Sequence, residues 1–132
     1  MSRAMTQGLN SRLAALGLAL VLGAGAASAR AADRTPADHQ TLTDLAYVLG
    51  QSHALRQACE GQADQFWRQR MYRMLQTEQP DQGFDRSLKE SFNAGYAAAQ
   101  TAYPTCTPQS RHAEAKAAEH GRALVGTLEE AQ

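Results

Sequence analysis

Apolar residues recur at intervals of three and four along most of the chain after residue 40, the spacing of amphipathic helices. Four segments show it, and none alternates apolar and polar residues as a half-buried strand would. The pattern predicts an all-α fold, a small bundle of three to four helices. The stripes consist of Leu45, Val48, Ser52, Leu55 and Cys59; Trp67, Met71, Met74 and Leu75; Leu88, Phe92, Gly95, Tyr96, Ala99 and Tyr103; and Ala113, Ala117, Gly121, Leu124 and Leu128.

Residues that start or stop helices bound these segments. Thr35-Pro36-Ala37-Asp38 and Thr41-Leu42-Thr43-Asp44 are two possible starts of the first helix, and Glu60-Gly61 is its expected end. The second helix is expected from about Asp64 to Glu78, the third from about Phe84 to Tyr103, and the fourth from Thr107-Pro108. We predict a polar lead-in over residues 30–40 and a helical domain over residues 41–130.

Glycine at position 95 interrupts the buried stripe of the third helix. Glycine costs about 1 kcal/mol relative to alanine inside a helix. Its presence on the buried face therefore predicts that the backbone of another element approaches closely there.

The N-terminal 29 residues have the pattern of a secretory signal peptide. Two arginines precede an apolar run over residues 13–27, and Ala27-Ser28-Ala29 follows as a cleavage site. Cleavage is expected after Ala29, or after Ala31, and an uncleaved N-terminal anchor is the alternative. We therefore expect a periplasmic protein without a stable membrane span after cleavage.

The net charge and length of the chain limit the classes of function that are expected. The chain has 13 basic and 13 acidic residues, and removal of Arg3 and Arg12 leaves 11 basic residues against 13 acidic ones, a net charge of −2. Nucleic-acid binding needs a clustered positive surface, so a nucleic-acid partner is not expected. About 100 residues remain, the size of one small domain.

The two cysteines, Cys59 and Cys106, are most simply explained as one disulfide in an exported protein of this size. A metal pair and a catalytic thiol are the alternatives. There is no C-x-x-C pair, which argues against a thioredoxin-like redox site. The bond would join the end of the first helix to the corner between the third and fourth, where Pro104 and Pro108 flank Cys106.

Candidate binding residues lie on the first three helices. Arg68, Arg70 and Arg73 crowd the second helix with no acid between Gln65 and Thr77, so they can form a contact surface for an anionic partner or a solvated face paired with acids such as Asp85 or Glu90. The other candidates are His53, Arg56, Asn93 and Tyr96. Each also has a structural explanation, as a side chain that is hydrogen-bonded or partly exposed.

Motifs for catalysis, metals and cofactors are not found. No two histidines have i, i+4 spacing, and there is no H-E-x-x-H, G-x-S-x-G or glycine-rich phosphate loop. We predict no dedicated metal site and no cofactor, and an enzyme is not favoured.

Four blocks of this sequence resemble a family of small exported bacterial proteins of unknown function, found mainly in alphaproteobacteria and marked by two well-separated cysteines. The blocks are Leu49–Cys59, Phe66–Leu75, Phe92–Tyr96 and Tyr103–Thr107, within a similarity over roughly Leu42 to Leu128. The resemblance implies a periplasmic location and a Cys59–Cys106 bond. It implies no catalytic residue.

Two hypotheses for function follow. The first is a non-enzymatic periplasmic interaction or accessory module that binds another envelope protein or the cell wall through the arginines of the second helix, with His53 and Arg56. The alternative is a small-ligand or metal-binding bundle in which His53, Asn93 and Tyr96 line a pocket between helices. Neither the oligomeric state nor the partner can be predicted from the sequence.

Overall fold

The computed structural model describes residues 30–132 and contains four α-helices after a single 3-10 turn, Ala31–Asp33. No strand occurs among these residues, and the predicted all-α bundle is confirmed. The expected signal peptide over residues 1–29 lies outside the described part of the chain. The helices are α1 (Pro36–Glu60), α2 (Phe66–Glu78), α3 (Gln82–Ala102) and α4 (Pro108–Glu130).

Capping boxes begin α1 and α4. The Thr35 hydroxyl accepts from the backbone N–H of Asp38, and the backbone N–H of Thr35 donates to the Asp38 carboxylate. That backbone hydrogen bond, with a second from the Thr35 hydroxyl, lowers the pKa of Asp38. Thr107 and Ser110 repeat the arrangement at α4, and each cap is followed by proline. Of the two possible starts for α1, the structure has the first.

Two residues with positive φ end α1 and α2. Gly61 has a φ of 101°, a value that favours glycine, and it stops α1 where the sequence predicts. Gln79 has a φ of 46° and precedes Pro80, which cannot continue α2. The chain therefore reverses direction within a few residues at both points.

Helix α1 is the centre of the bundle and packs against each of the other three helices. Helix α3 runs parallel to α1. Ser91 of α3 contacts Thr43 of α1, and Tyr96, further along α3, contacts Gln57, further along α1. Helix α4 runs antiparallel to α1, because Ser110 near the start of α4 lies beside Cys59 and Gly121 further along lies beside Val48. Helix α2 is likewise antiparallel to α1, so the helices alternate in direction.

The core lies around α1 in two clusters of buried side chains. The larger joins α1 to α2 and α3, and to the end of α4; the smaller lies towards the disulfide end of the bundle. Truncation of a fully buried leucine such as Leu42 or Leu88 is expected to cost about 2–5 kcal/mol. The clusters consist of Leu42, Leu45, Ala46, Leu49, Met71, Leu88, Phe92 and Leu128, and of Ala54, Leu55 and Ala99.

The predicted close approach at Gly95 is confirmed. A Cβ atom built there would overlap the backbone carbonyl of Tyr47 on α1. Gly50 of α1 has the same relationship to the carbonyl of Phe92 on α3. The two glycines therefore let α1 and α3 cross backbone to backbone.

The disulfide between Cys59 and Cys106 is present, with the two Cα atoms 4.7 Å apart. It ties the last turn of α1 to the connection between α3 and α4. This is the link that the sequence predicts.

The segment before α1 is part of the packed structure. The Arg34 guanidinium donates from Nε and Nη2 to the Glu78 carboxylate, at 3.0 and 2.8 Å, and from Nη1 to the Leu128 carbonyl at 3.1 Å. Ala31 is buried, and its carbonyl lies 2.6 Å from Nε2 of His39. The predicted lead-in covered residues 30–40, whereas the structure begins α1 at Pro36 and uses Arg34 to hold the ends of α2 and α4.

None of the helices within residues 30–132 combines the length and apolarity that crossing a bilayer requires.

Candidate functional site

The turn between α1 and α2 positions the first residues of α2. Arg56 Nε forms an ion pair with Asp64 Oδ2 at 3.0 Å, and Asp64 Oδ1 accepts from the backbone N–H of Phe66 at 3.1 Å. Because Asp64 satisfies one of the free N–H groups at the start of α2, it fixes where that helix begins. The carboxylate at the start of α2 is thus also paired with a guanidinium on α1.

Gln57 supports the same turn from inside the bundle. Its Nε2 donates to the carbonyls of Gln62 and Asp64, and its Oε1 accepts from the Tyr96 hydroxyl at 2.8 Å. One buried side chain therefore links α1, the α1–α2 turn and α3. Sequence reasoning missed this residue, since a glutamine beside an apolar stripe carries no signal of its partners.

Arginines and aromatic rings lie on α2 outside its buried stripe, and we call them the α2 arginine surface: Phe66, Arg68, Arg70, Tyr72 and Arg73. The Arg70 guanidinium lies 3.7 Å from the centre of the Phe66 ring, and that of Arg56 lies 4.6 Å from it. The Phe66 side chain is 38% exposed and Tyr72 is 52% exposed. Cation–π contacts hold the guanidinium of Arg70 against the ring.

The positive charge of this surface is not neutralised within the described residues. No carboxylate oxygen lies within 4.0 Å of Arg68, Arg70 or Arg73 there, and Asp85, a candidate partner, pairs with Lys89. Partial burial lowers the pKa of Arg70, and the charges of Arg73 and Arg56 lower it further. An anion beside Arg70 would relieve this repulsion.

His53 lies beneath α2 and is fully buried. Arg68 Nε donates to its Nε2 at 3.4 Å, so the proton of the neutral ring is on Nδ1, which has no partner among the described residues. The ring lies 5.8 and 5.5 Å from the rings of Phe92 and Tyr96. Burial lowers the pKa of His53, the Arg68 charge lowers it further, and Asp64 opposes the shift. His53 is therefore a buried neutral side chain.

The structure separates the six predicted binding residues into groups. His53, Arg68 and Tyr96 are together, and Arg56 and Arg70 meet at Phe66. Asn93 is exposed on α3, whereas His53 is fully buried. The Tyr96 hydroxyl is bonded to Gln57, so it has a structural role.

Two grooves flank α4, and the sequence analysis did not predict either. One lies against α1 and α3 and has a volume of about 840 Å³; the other lies against α1 and α2 and has a volume of about 650 Å³. Helix α4 buries only Ser110 and Leu128, and several of the residues that it contributes to the grooves are alanine or glycine, so its contact with the neighbouring helices is thin. The thin apolar stripe of the fourth helix was the available signal.

Metal-ligating side chains are dispersed in the described part of the chain. Residues 30–132 contain no group of three histidine, cysteine, aspartate or glutamate side chains placed to hold a metal ion.

Comparison with known proteins gives one family. A family model described as "Protein of unknown function (DUF2385)" matches residues 36–131, which include all four helices and both cysteines. No significant match was found among curated proteins or among solved structures. The match confirms the resemblance to a family of unknown function, and the chain belongs to the DUF2385 family.

Proposed function

We propose that this protein is an exported interaction module of the cell envelope, non-enzymatic, that binds an acidic face of another envelope protein through the α2 arginine surface. The environment of Arg70 carries the proposal. Its side chain is half-buried on Phe66 and close to the charges of Arg56 and Arg73, and it has no carboxylate partner among the described residues. Export rests on the sequence of residues 1–29 alone.

The composition of the surface supports a protein partner. Arginine and tyrosine are among the residue types enriched at the energetic centres of protein interfaces, and here they accompany an exposed phenylalanine. The guanidinium of Arg70 is already ordered by its ring contacts, so binding would cost less side-chain entropy than it would for a free arginine. An acidic partner would also be steered towards the surface by its charge.

A site-specific crosslinking experiment tests the proposal. A photo-reactive amino acid replaces Tyr72, which is exposed on α2, in the full-length chain expressed in cells. We expect one dominant protein adduct, which Arg70→Glu and Arg73→Glu together reduce by about tenfold or more. High salt during crosslinking of envelope extracts should reduce the same adduct, because exposed charges are screened.

The matched control is Arg86→Glu, the same charge reversal at an exposed position of α3. This variant should leave the adduct unchanged, and all variants should melt close to the unaltered protein. An adduct that is insensitive to reversal at Arg70 and Arg73, or equally sensitive to reversal at Arg86, would contradict the assignment of this surface.

A further inference from the structure

The groove between α2 and α4 has the size and lining of a small-molecule site. Its volume of about 650 Å³ falls within the usual range for ligand pockets, about 300–1,000 Å³. Helix α1 contributes Leu42, Leu45, Val48 and Leu49 to the lining, and Met74 of α2 contributes further apolar surface. A hydrocarbon chain is the ligand chemistry that this lining favours.

The α4 wall of the groove is formed by Arg122, Val125, Leu128 and Glu129 together with four small residues. Ala117, Ala118, Gly121 and Gly126 line it, and a Cβ atom built at Gly126 would meet no atom within 4 Å. Space remains where a bulkier residue would have closed the contact between α4 and α2. Trp67 spans the gap at one place, donating from Nε1 to Glu114 at 3.2 Å.

An unsatisfied polar group lies in the same groove. The Ser52 side chain lines it and is fully buried, and its hydroxyl has no hydrogen-bond partner among the described residues. A buried hydroxyl without a partner is unfavourable, so the site favours a ligand that supplies an acceptor.

The charges around the groove favour an anion as that acceptor. Arg70 on α2 and Arg122 on α4 both line it, and neither has a carboxylate oxygen within 4.0 Å in the described chain. The Arg34–Glu78 pair is internally neutral, and Glu129 is the remaining acid in the lining. Counting residues 30–132 alone, two cations without an acidic partner therefore line the groove beside one acid.

From these features we propose that the groove binds a single-chain amphiphile with an anionic headgroup, a carboxylate or a phosphate. The headgroup accepts hydrogen bonds from Arg70, Arg122 and the Ser52 hydroxyl, and the chain lies along Leu45, Leu49 and Met74. One chain rather than two matches a volume typical of drug-sized ligands. This site shares Arg70 with the α2 arginine surface proposed above to bind a protein, whereas Ser52, Arg122 and the apolar lining lie outside that surface.

Calorimetric titration tests the headgroup. Protein purified after expression of the full-length chain is titrated with four probes that share a chain of twelve carbon atoms: dodecanoate, dodecyl phosphate, dodecyl maltoside and dodecyltrimethylammonium, all below their critical micelle concentrations. We expect saturable binding of one equivalent of an anionic probe, at least about tenfold tighter than either the neutral or the cationic probe. The tighter of the two anions identifies the headgroup. Absence of saturable binding, or equal affinity for the anionic and cationic probes, would overturn the proposal.

Substitutions at Gly126 test the location with a matched pair. Gly126→Leu places a side chain in the open space, whereas Gly126→Ala gives a similar gain in helix propensity and fills little of the groove. We expect Gly126→Leu to weaken anion binding by about tenfold or more and Gly126→Ala to change it less than about twofold, with both variants at least as stable as the parent. Equal affinity of the two variants would place the ligand elsewhere.

The Ser52→Ala variant distinguishes a binding role of Ser52 from a purely structural one. Loss of an unpartnered buried hydroxyl should raise the melting temperature of the unliganded protein, while affinity for the anionic probe falls several-fold. Unchanged affinity would remove Ser52 from the site. Gly126→Leu should also leave the Tyr72 crosslink intact, so failure of this proposal is distinguishable from failure of the proposed protein interaction.

Discussion

Gly50 of α1 and Gly95 of α3 lie at the same helix crossing, and at each of them the backbone of the other helix occupies the space that a Cβ atom would need. The carbonyl of Phe92 occupies the space beside Gly50, and the carbonyl of Tyr47 occupies the space beside Gly95. Because the obstructing atoms belong to backbone, no side-chain rotation can make room. The packing of the two helices that carry most of the core depends on this pair.

Alanine at either glycine should therefore destabilise the protein. We expect Gly50→Ala and Gly95→Ala each to lower the free energy of unfolding by about 3 kcal/mol, since the helices must separate or shift. Urea denaturation followed by circular dichroism measures the change. The control is Gly126→Ala, where the space is open and a gain of about 1 kcal/mol is expected from helix propensity. Similar effects at positions 95 and 126 would show that the crossing is not tight.

The Cys59–Cys106 disulfide should supply a large share of the stability. It closes a loop with a sequence separation of 47 residues, and the loss of chain entropy in the unfolded state corresponds to roughly 4 kcal/mol. For a domain of this size, reduction or Cys106→Ser should lower the melting temperature by roughly 20 °C. Thermal scans with and without reductant make the comparison. Coincident melting of the oxidised and reduced proteins would contradict a stabilising role.

The elements of this fold could be predicted because their signals are local. Thr35 and Thr107 cap helices whose first residue is proline, and Gly61 ends α1. Each signal acts within about one helical turn, so a single sequence is sufficient to recognise it. Even the close approach at Gly95 was predictable, although its partner Gly50 was not, because the sequence does not show which helix crosses it.

The contacts that shape the candidate sites are long-range, and they were not predictable. Arg34 and Glu78 are 44 positions apart and Gln57 and Tyr96 are 39 apart, with no local pattern that pairs them. The grooves beside α4 also depend on how far three helices stand from one another. The sequence alone identified the arginines of α2 as candidate binding residues. Their lack of acidic partners in the described chain could be recognised only from the structure.

The Arg34–Glu78 ion pair should anchor the segment before α1. Both side chains are only 6% exposed, so removing one partner leaves a buried charge uncompensated. We expect Arg34→Met to lower the free energy of unfolding by about 3 kcal/mol. The double variant Arg34→Met with Glu78→Met should recover most of that loss, because no charge remains buried. Chemical denaturation of the two single variants and the double variant measures the coupling, and additive losses would argue against a direct pair.

Burial of neutral His53 should make the protein less stable in mild acid. Its pKa in the folded state is lowered below the ordinary value of about 6.5, mainly by burial. Above that value His53 is neutral in both states and contributes no pH dependence. As the pH falls below it, the unfolded chain takes up a proton that the folded protein does not, so stability is lost until the pH reaches the folded-state pKa. The slope from one such group is at most about 1.4 kcal/mol per pH unit.

Comparison with His53→Gln isolates this contribution. The other three histidines are common to both proteins, and Asp38, whose pKa is lowered, affects stability only at more acidic pH. Urea denaturation at about pH 7.5, 6.0 and 5.0 should show the parent losing stability faster than the variant as pH falls. Parallel curves would mean that the folded protein accepts a proton at His53 as readily as the unfolded chain does. That result would require either solvent at the ring, in conflict with its complete burial, or an acidic hydrogen-bond partner, which the described residues do not supply.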